Sequence, residues 1–196
     1  MAGTPRFRIE WTTDVGTLRA IEPQLTDVAA HSAHLAAGYN EPENARLMGH
    51  LDSLSEAEVI EHYTSLLAEG AHPFLLYLNE ELLGDADLRG IRDGAAEFAF
   101  MVGTPARQGR GLGTRFALMV HAFGFSELRL ERVYVSIRPD NAASRRVFEK
   151  LGYLLDDSAE ARTFADETGD LTMVIHRGVF ERRNGPMLAH LRIGEQ

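Results

Sequence analysis

One short stretch constrains the fold of this chain more than any other: Arg107-Gln108-Gly109-Arg110-Gly111-Leu112-Gly113-Thr114. It lies between an apolar run, Ala95 to Val102, and a segment with Leu112, Phe116, Met119 and Phe123 at helical spacing, so it joins a strand to a helix. Glycines at alternate positions let the backbone approach a ligand closely and turn its N–H groups inward. The helix that begins there presents unpaired N–H groups and the positive end of its dipole. Arg107, Arg110 and Arg115 add positive charge. Together these features predict a pyrophosphate cradle; the plainer alternative is a glycine-rich turn that only starts a helix. A P-loop is excluded because the stretch has no lysine, and a dinucleotide fingerprint wants a glycine where Thr114 stands and a parallel sheet around it.

The flanking pattern predicts α+β architecture. Phe7 to Trp11 and Leu18 to Ile21 read as short strands, and Asp27 opens a helical stretch through Val28, His31 and Leu35. Asn40 to Asn44 reads as a turn around Pro42. Ser55-Glu56-Ala57-Glu58 is a capping box, followed by Val59, Ile60, Tyr63, Leu66 and Leu67 at helical spacing and by a stop at Gly70. Pro73 to Leu78 and Leu82 to Leu88 form an antiparallel hairpin, and Asp93-Gly94 turns into Ala95 to Val102. On that strand Phe98, Phe100 and Val102 share one face, Glu97, Ala99 and Met101 the other. After the glycine stretch and its helix, Val133 to Ile137 alternate as a strand, so strand, helix, strand predicts a right-handed parallel crossover. Asp140 or Asn141 caps a further helix with Ala143, Val147 and Leu151 as its stripe, stopped by Gly152. Tyr153 to Leu155 and Leu171 to Ile175 close the sheet.

Composition narrows the function classes. The 196 residues are 44% hydrophobic and 25% charged, which suits one globular domain over residues 1–196. A formal charge of −9 argues against a nucleic-acid partner. No apolar run is long enough to span a membrane, and Met1 to Asp14 lacks the apolar core of a signal peptide, so the expected location is the cytoplasm and no membrane partner is expected. The chain has no cysteine, so acyl transfer through a protein thioester is excluded.

These residues resemble the GNAT superfamily of N-acetyltransferases. Its signature is Gln or Arg, two residues, Gly, one residue, then Gly or Ala; Gln108, Gly111 and Gly113 satisfy it. A second part, Asn141-Ala142-Ala143-Ser144-Arg145-Arg146-Val147-Phe148-Glu149-Lys150-Leu151-Gly152-Tyr153, looks like the Asn-x-x-Ser…Glu-Lys-Leu-Gly-Phe/Tyr segment of the subgroup containing the bacterial ribosomal-protein N-acetyltransferases. Leu18-Arg19 and Thr26-Asp27 are similar to the family's opening, and the resemblance is best over about residues 74–153. It implies the GNAT fold, a mixed central sheet flanked by helices, with acetyl-CoA as co-substrate and no metal. It implies direct transfer in a ternary complex to a primary amine: a protein N-terminus, an amino sugar or another small amine. The coenzyme site carried over is Met101 and Val102 on the strand, then Gln108, Gly109, Arg110, Gly111, Leu112, Gly113 and Thr114. Asn141, Ser144 and Arg145 complete it. The expected assembly is a monomer or a homodimer.

An alkyl ammonium with pKa near 10.4 is about one-thousandth neutral near pH 7.4, so the reaction wants a base. Glu97 resembles the strand glutamate that is the base in histone-type members; its alternative is a glutamate on a solvated sheet face. Glu41, Glu43, Asp85 and Asp87 are next in line. Phe148 occupies the position where many members have a tyrosine acid. Ser144 matches a serine proposed to contact the thiol, or else satisfies helix N–H groups. Asn141 is explained almost as well by helix capping, and Tyr153 by the core. The eight histidines include no His-Glu-x-x-His, so they are expected at the surface rather than on a metal. Phe148 also keeps open a second class of function, an acyl-CoA-binding sensor or scaffold without catalysis. The acidic stretch Asp156 to Asp170 is a candidate border of the acceptor site or a solvated loop.

Overall fold

A computed structural model describes residues 6–49, 52–103 and 111–196. The chain enters through a hairpin, β1 (Phe7–Thr13) and β2 (Gly16–Ile21), in register from Arg8 opposite Ile21 to Thr13 opposite Gly16. Helix α1 (Leu25–Tyr39) starts earlier than Asp27: Gln24 is the N-cap, and the Asp27 carboxylate accepts from the Gln24 N–H at 2.8 Å. The turn expected around Pro42 is a short helix, α2 (Pro42–Met48). Proline at the first helical position gives up only an N–H that has no intrahelical acceptor, so a turn-like sequence can open a helix. In α3 (Glu56–Ala68) the expected reciprocal cap is present, with Glu58 accepting from the Ser55 N–H at 2.7 Å.

Strands β3 (His72–Leu78), β4 (Glu81–Arg92) and β5 (Ala95–Val102) follow as an antiparallel meander, β4 running past Leu88 to Arg92. Helix α4 (Leu112–Ser126) then leads to β6 (Arg132–Ile137), which lies parallel to β5. The chain continues through α5 (Ala142–Leu151), β7 (Leu154–Leu155), α6 (Ala159–Arg162) and β8 (Leu171–His176). Helix α7 (Arg177–Leu188) and β9 (Arg192–Glu195) end it, neither anticipated from the sequence. The nine strands of the described residues form one sheet in the order β7-β8-β6-β5-β4-β3-β2-β1-β9. Every pairing but β5 with β6 is antiparallel.

The sheet separates two layers. On one face α4 packs against β1, β2, β4 and β5 and is itself covered by α5 and α7. That is why Phe116 through Phe125 are buried without interruption, where the spacing of Leu112, Phe116, Met119 and Phe123 implied a single buried side. The stripe of α5 is also shifted from expectation: Ala143 is exposed, while Phe148 and Leu151 are buried and Val147 packs beside them. On the other face α1 and α3 bury Val28, Leu35, Tyr39, Val59 and Tyr63 against Leu75, Leu82 and Met101. Farther along that face, Phe164 beyond α6 stacks on Tyr134 with ring centroids 4.6 Å apart. No helix among the described residues is long and apolar enough to cross a membrane.

One polar pair sits inside the α4 layer. His121 Nδ1 is 2.6 Å from the Ala117 carbonyl oxygen, which only accepts, so Nδ1 carries the proton and Nε2 accepts from the Tyr153 hydroxyl. The ring lies 4.6 Å from Phe98 and 5.9 Å from Phe180. Burial in this aromatic cage pushes His121 down to about 4. The unfolded chain therefore binds a proton between about pH 6.5 and 4 that the folded chain refuses, so stability is lost as pH falls through that window. We predict a contribution of up to roughly 3 kcal/mol by pH 4. Denaturant unfolding between pH 7 and 4 should show native protein losing more stability than His121→Gln, which keeps both hydrogen bonds but cannot titrate. Equal slopes would contradict a buried neutral imidazole.

Candidate active site

The site begins where a ladder stops. β5 and β6 pair only at Ala95–Glu97 with Arg132–Tyr134. Beyond that, β5 stays with β4 as far as Val102, and β6 stays with β8 as far as Ile137. The strands part, each with a strand neighbour on one side only, and a cavity of about 400 Å³ opens between them. Phe98 to Met101 line one wall, Ser136 to Arg138 the other, and Asn141, Ser144 and Phe148 of the α5 region close the end. Two facing rows of backbone N–H and C=O groups without a common ladder suit a ligand that itself carries amides.

The floor on the α1–α3 side is charged. Alternation puts Asp85, Asp87 and Arg89 of β4 beside Met101, Ala99 and Glu97 of β5. Asp85 Oδ2 accepts from the hydroxyls of Tyr63, at 2.7 Å, and Tyr39. Burial raises Asp85 to about 6 against the pull of those hydroxyls. Burial raises Asp87 to about 7, opposed by Arg89 and reinforced by Asp85, Glu97 and Asp166. Glu97 is raised by burial as well, against its bidentate pair with Arg89, Nη2 to Oε1 at 2.9 Å and Nε to Oε2 at 3.1 Å. The same Nη2 reaches Asp166 Oδ1 at 2.9 Å. Asp166 belongs to a strap over β6: its N–H donates to the Ser136 hydroxyl, which donates to Asp170 Oδ2, both at 2.9 Å. Asp166, Glu167 and Asp170 all line the cavity.

The comparisons with known proteins agree with this frame. A profile described as the acetyltransferase (GNAT) domain matches residues 17–154. The chain belongs to the GNAT acetyltransferase family. An N-acetyltransferase 9-like protein of Nematostella vectensis is 31% identical over 87 residues, 39% of this chain and 44% of that protein. The chain spans less than half the length of the curated relatives it matches. Among solved structures, Mycobacterium smegmatis RimJ in complex with CoA-disulfide superposes with TM-score 0.69 at 19% identity, over 94% of this chain and 96% of that one. Spermidine N-acetyltransferase from Vibrio cholerae in complex with CoA and spermine gives 0.65 at 19%, over 86% and 99%. At these identities the solved structures establish the fold.

The GNAT domain distributes the expected residues unevenly. Gln108, Gly109 and Arg110 lie outside the described residues, as does Arg107. Gly111 is the N-cap of α4 with φ 73°, Leu112 is core, and Thr114 borders a shallower hollow with Trp11 and Arg115. Arg115 is already committed, 2.7 Å from Asp14 and over the Trp11 ring. Met101 lines the cavity but packs with α1, while Val102 faces the α4 layer. Asn141 caps α5 through the Ser144 N–H at 3.0 Å, and both residues line the cavity. Arg145 points outward into a 2.9 Å pair with Glu149. Glu97 does not sit on a solvated face, being 9% exposed. Glu41 and Glu43 are elsewhere: Glu41 caps α2 and Glu43 pairs with Arg46.

Sequence reading missed Arg89, the two tyrosines and the strap contacts. The available signal was Asp85-Ala86-Asp87-Leu88-Arg89, charges at alternate places in an apolar strand, which can be buried only in pairs or around a site. No group of three or more potential ligands among the described residues could hold a metal.

The glycines are separable by test. A Cβ on Gly113 would lie 3.3 Å from a Phe100 ring atom and 3.7 Å from Val147, so this glycine sets how closely α4 approaches β5. A Cβ on Gly111 meets nothing within 4 Å among the described residues, and its demand is the left-handed backbone. We predict that Gly113→Val costs about 1–3 kcal/mol by overpacking and Gly111→Ala about 1–2 kcal/mol by backbone strain. Thermal unfolding of ligand-free protein checks both; an unchanged Tm for Gly113→Val would contradict the close helix–strand approach.

Proposed function

We propose that this chain transfers an acetyl group from acetyl-CoA to a cationic primary amine, directly and without a covalent enzyme intermediate. The observation that carries the reading is the cavity itself: in a GNAT chain, one gap joins two open strand edges to a buried cluster of carboxylates. The residues fit the coenzyme. No described residue lies within 4 Å of a Cβ placed on Gly111, so backbone there can come close to phosphate, and the N–H groups of Leu112, Gly113 and Thr114 have no intrahelical acceptor at the positive end of a 15-residue helix. Met101 and Val102 offer the strand edge, and Asn141 and Ser144 the opposite rim. When bound, acetyl-CoA supplies an activated acetyl thioester whose carbon–sulfur bond breaks as the nitrogen–carbon bond forms, sulfur leaving as thiolate.

The protein's own groups then have two tasks. On the thiol side, Phe148 is 3% exposed among Phe98, Phe100 and Tyr153 and donates no proton. None is essential: a thiol with pKa near 8.5 leaves readily as thiolate near neutral pH, and the Ser144 hydroxyl can hydrogen-bond to the sulfur. On the amine side, a carboxylate of the β4–β5 cluster takes the ammonium's proton. The wall formed by Glu58, Asp85, Asp87, Glu97, Asp166, Glu167 and Asp170, against Arg89 and Arg138, favours a cationic acceptor.

Coenzyme A and acetyl-CoA should bind in calorimetry and raise Tm by mass action. Thiol release should be faster with a linear diamine than with an amino acid of similar length, and added salt should narrow the difference. No coenzyme binding overturns the reading; equal turnover of cationic and anionic acceptors at low and high salt overturns the acceptor class.

A further inference from the structure

The cluster holds more carboxylates than one proton transfer needs, and their hydrogen bonds separate them. Glu97 has both oxygens occupied by the Arg89 fork. Asp85 has its Oδ2 occupied by Tyr39 and Tyr63. Asp87 is as deeply buried, 8% exposed, yet its Oδ1 is buried with no hydrogen-bond partner among the described residues. Arg89, spent on Glu97 and Asp166, comes no nearer to that oxygen than 3.9 Å, too far to donate to it. The cross-strand neighbour of Asp87 is Ala99, a methyl group flanked by Met101 and Glu97, so nothing bulky covers the carboxylate from β5. Both Asp87 and Ala99 line the cavity. A buried carboxylate oxygen left without a donor costs stability, and a site that receives an ammonium supplies the missing donor.

We propose that Asp87, rather than Glu97, accepts the proton from the acceptor's ammonium, and that the Arg89–Glu97 pair positions it. This rests on the transferase reading above. In the step, one N–H bond of the ammonium breaks and its electron pair stays on nitrogen as the lone pair that attacks the acetyl carbon. An O–H bond forms at Asp87 Oδ1; as the carbon–sulfur bond breaks, the acylated nitrogen loses its second surplus proton to water, and Asp87 releases its own to water before the next turnover.

The surroundings set the base strength. Around Asp87 the cavity is lined by Asp85 and Arg89 of its own strand, Glu97 of β5, and Tyr39, Glu58 and His62 from α1 and α3, with Tyr63 bonded to Asp85. Arg138 after β6 and Asp166, Glu167 and Asp170 of the strap line the same cavity. Burial and the carboxylates raise Asp87, Arg89 lowers it, and the balance falls near neutral, at about 7. From an ammonium of pKa near 10.4, transfer to such a group is uphill by about 10³, against about 10⁶ for an ordinary aspartate. Glu97 and Arg89 form a nearly neutral pair that keeps the guanidinium off Asp87; Glu97→Gln frees Arg89 to pair with Asp87 and weakens it as a base.

The test uses full-length protein with carbon-13-labelled aspartate carboxyls, the Asp87 signal being assigned through Asp87→Asn. The native Asp87 carboxyl should titrate near neutral pH and shift on adding 1,5-diaminopentane. With the same diamine, Asp87→Asn should lower kcat at pH 7 by about 10²–10⁴-fold, recover in part at pH 9, and keep coenzyme A affinity within about twofold. Glu97→Gln should lose about tenfold or less and move the acidic limb of the pH–rate profile downward, which a merely structural loss would not do. An Asp87 carboxyl already ionised at pH 5, or Asp87→Asn within a few-fold of native kcat, overturns the assignment. Native protein that fails to bind coenzyme A overturns the transferase reading instead, while the titration still decides whether Asp87 is the poised base.

Discussion

Three residue pairs of parallel ladder, Ala95–Glu97 against Arg132–Tyr134, hold the two halves of the sheet together. The strands then follow other partners, β5 with β4 and β6 with β8. Each backbone hydrogen bond not made across the gap forgoes about 0.5–1.5 kcal/mol, so the parting has a price that the rest of the fold offsets. Helix α4 does much of this, buried along Phe116 to Phe125 under α5 and α7 and packed against strands on both sides of β3. The short ladder also explains the placement of chemistry. Ala95 and Ala96 within the ladder are core, and Glu97 to Met101 from its end onward line the cavity.

Much of this is legible in the sequence. The capping box at Ser55, the β3–β4–β5 meander, the start of α4 after Gly111 and the Asn141 cap each rest on local rules that tertiary context did not overturn. What was not legible depends on nonlocal packing. α7 buries only Phe180 and Asn184 and so carries no stripe, and β9 pairs with β1 at the far end of the chain. The outer side of α4 reads as apolar only once α7 covers it. At the site, Glu97 was identified by its position, but its pairing with Arg89 is a cross-strand register fact, visible once Arg89 is seen opposite it. Asp166 became a wall residue because Ser136 fastens its backbone, which no spacing in the acidic stretch implies.

The charged floor is costly in the same way as the gap. Asp85 and Asp87 are buried with raised pKa values, near 6 and 7, so folding at neutral pH works against part of their ionisation, and stability from these two groups rises as pH falls through them. His121 acts with the opposite sign over an overlapping window, between about pH 6.5 and 4. A fold that keeps two strained carboxylates beside one guanidinium sacrifices stability at the place where it opens its sheet, the pattern expected of a working site.

The central claim is that the gap between β5 and β6 receives the coenzyme, and amide hydrogen exchange reads it at the residues concerned. With saturating coenzyme A, exchange should slow at Phe98 to Val102 of β5 and at the first amides of α4, while β1, β2 and β9 keep their rates. Coenzyme A that binds yet leaves the β5 amides beyond Glu97 unprotected would contradict the account.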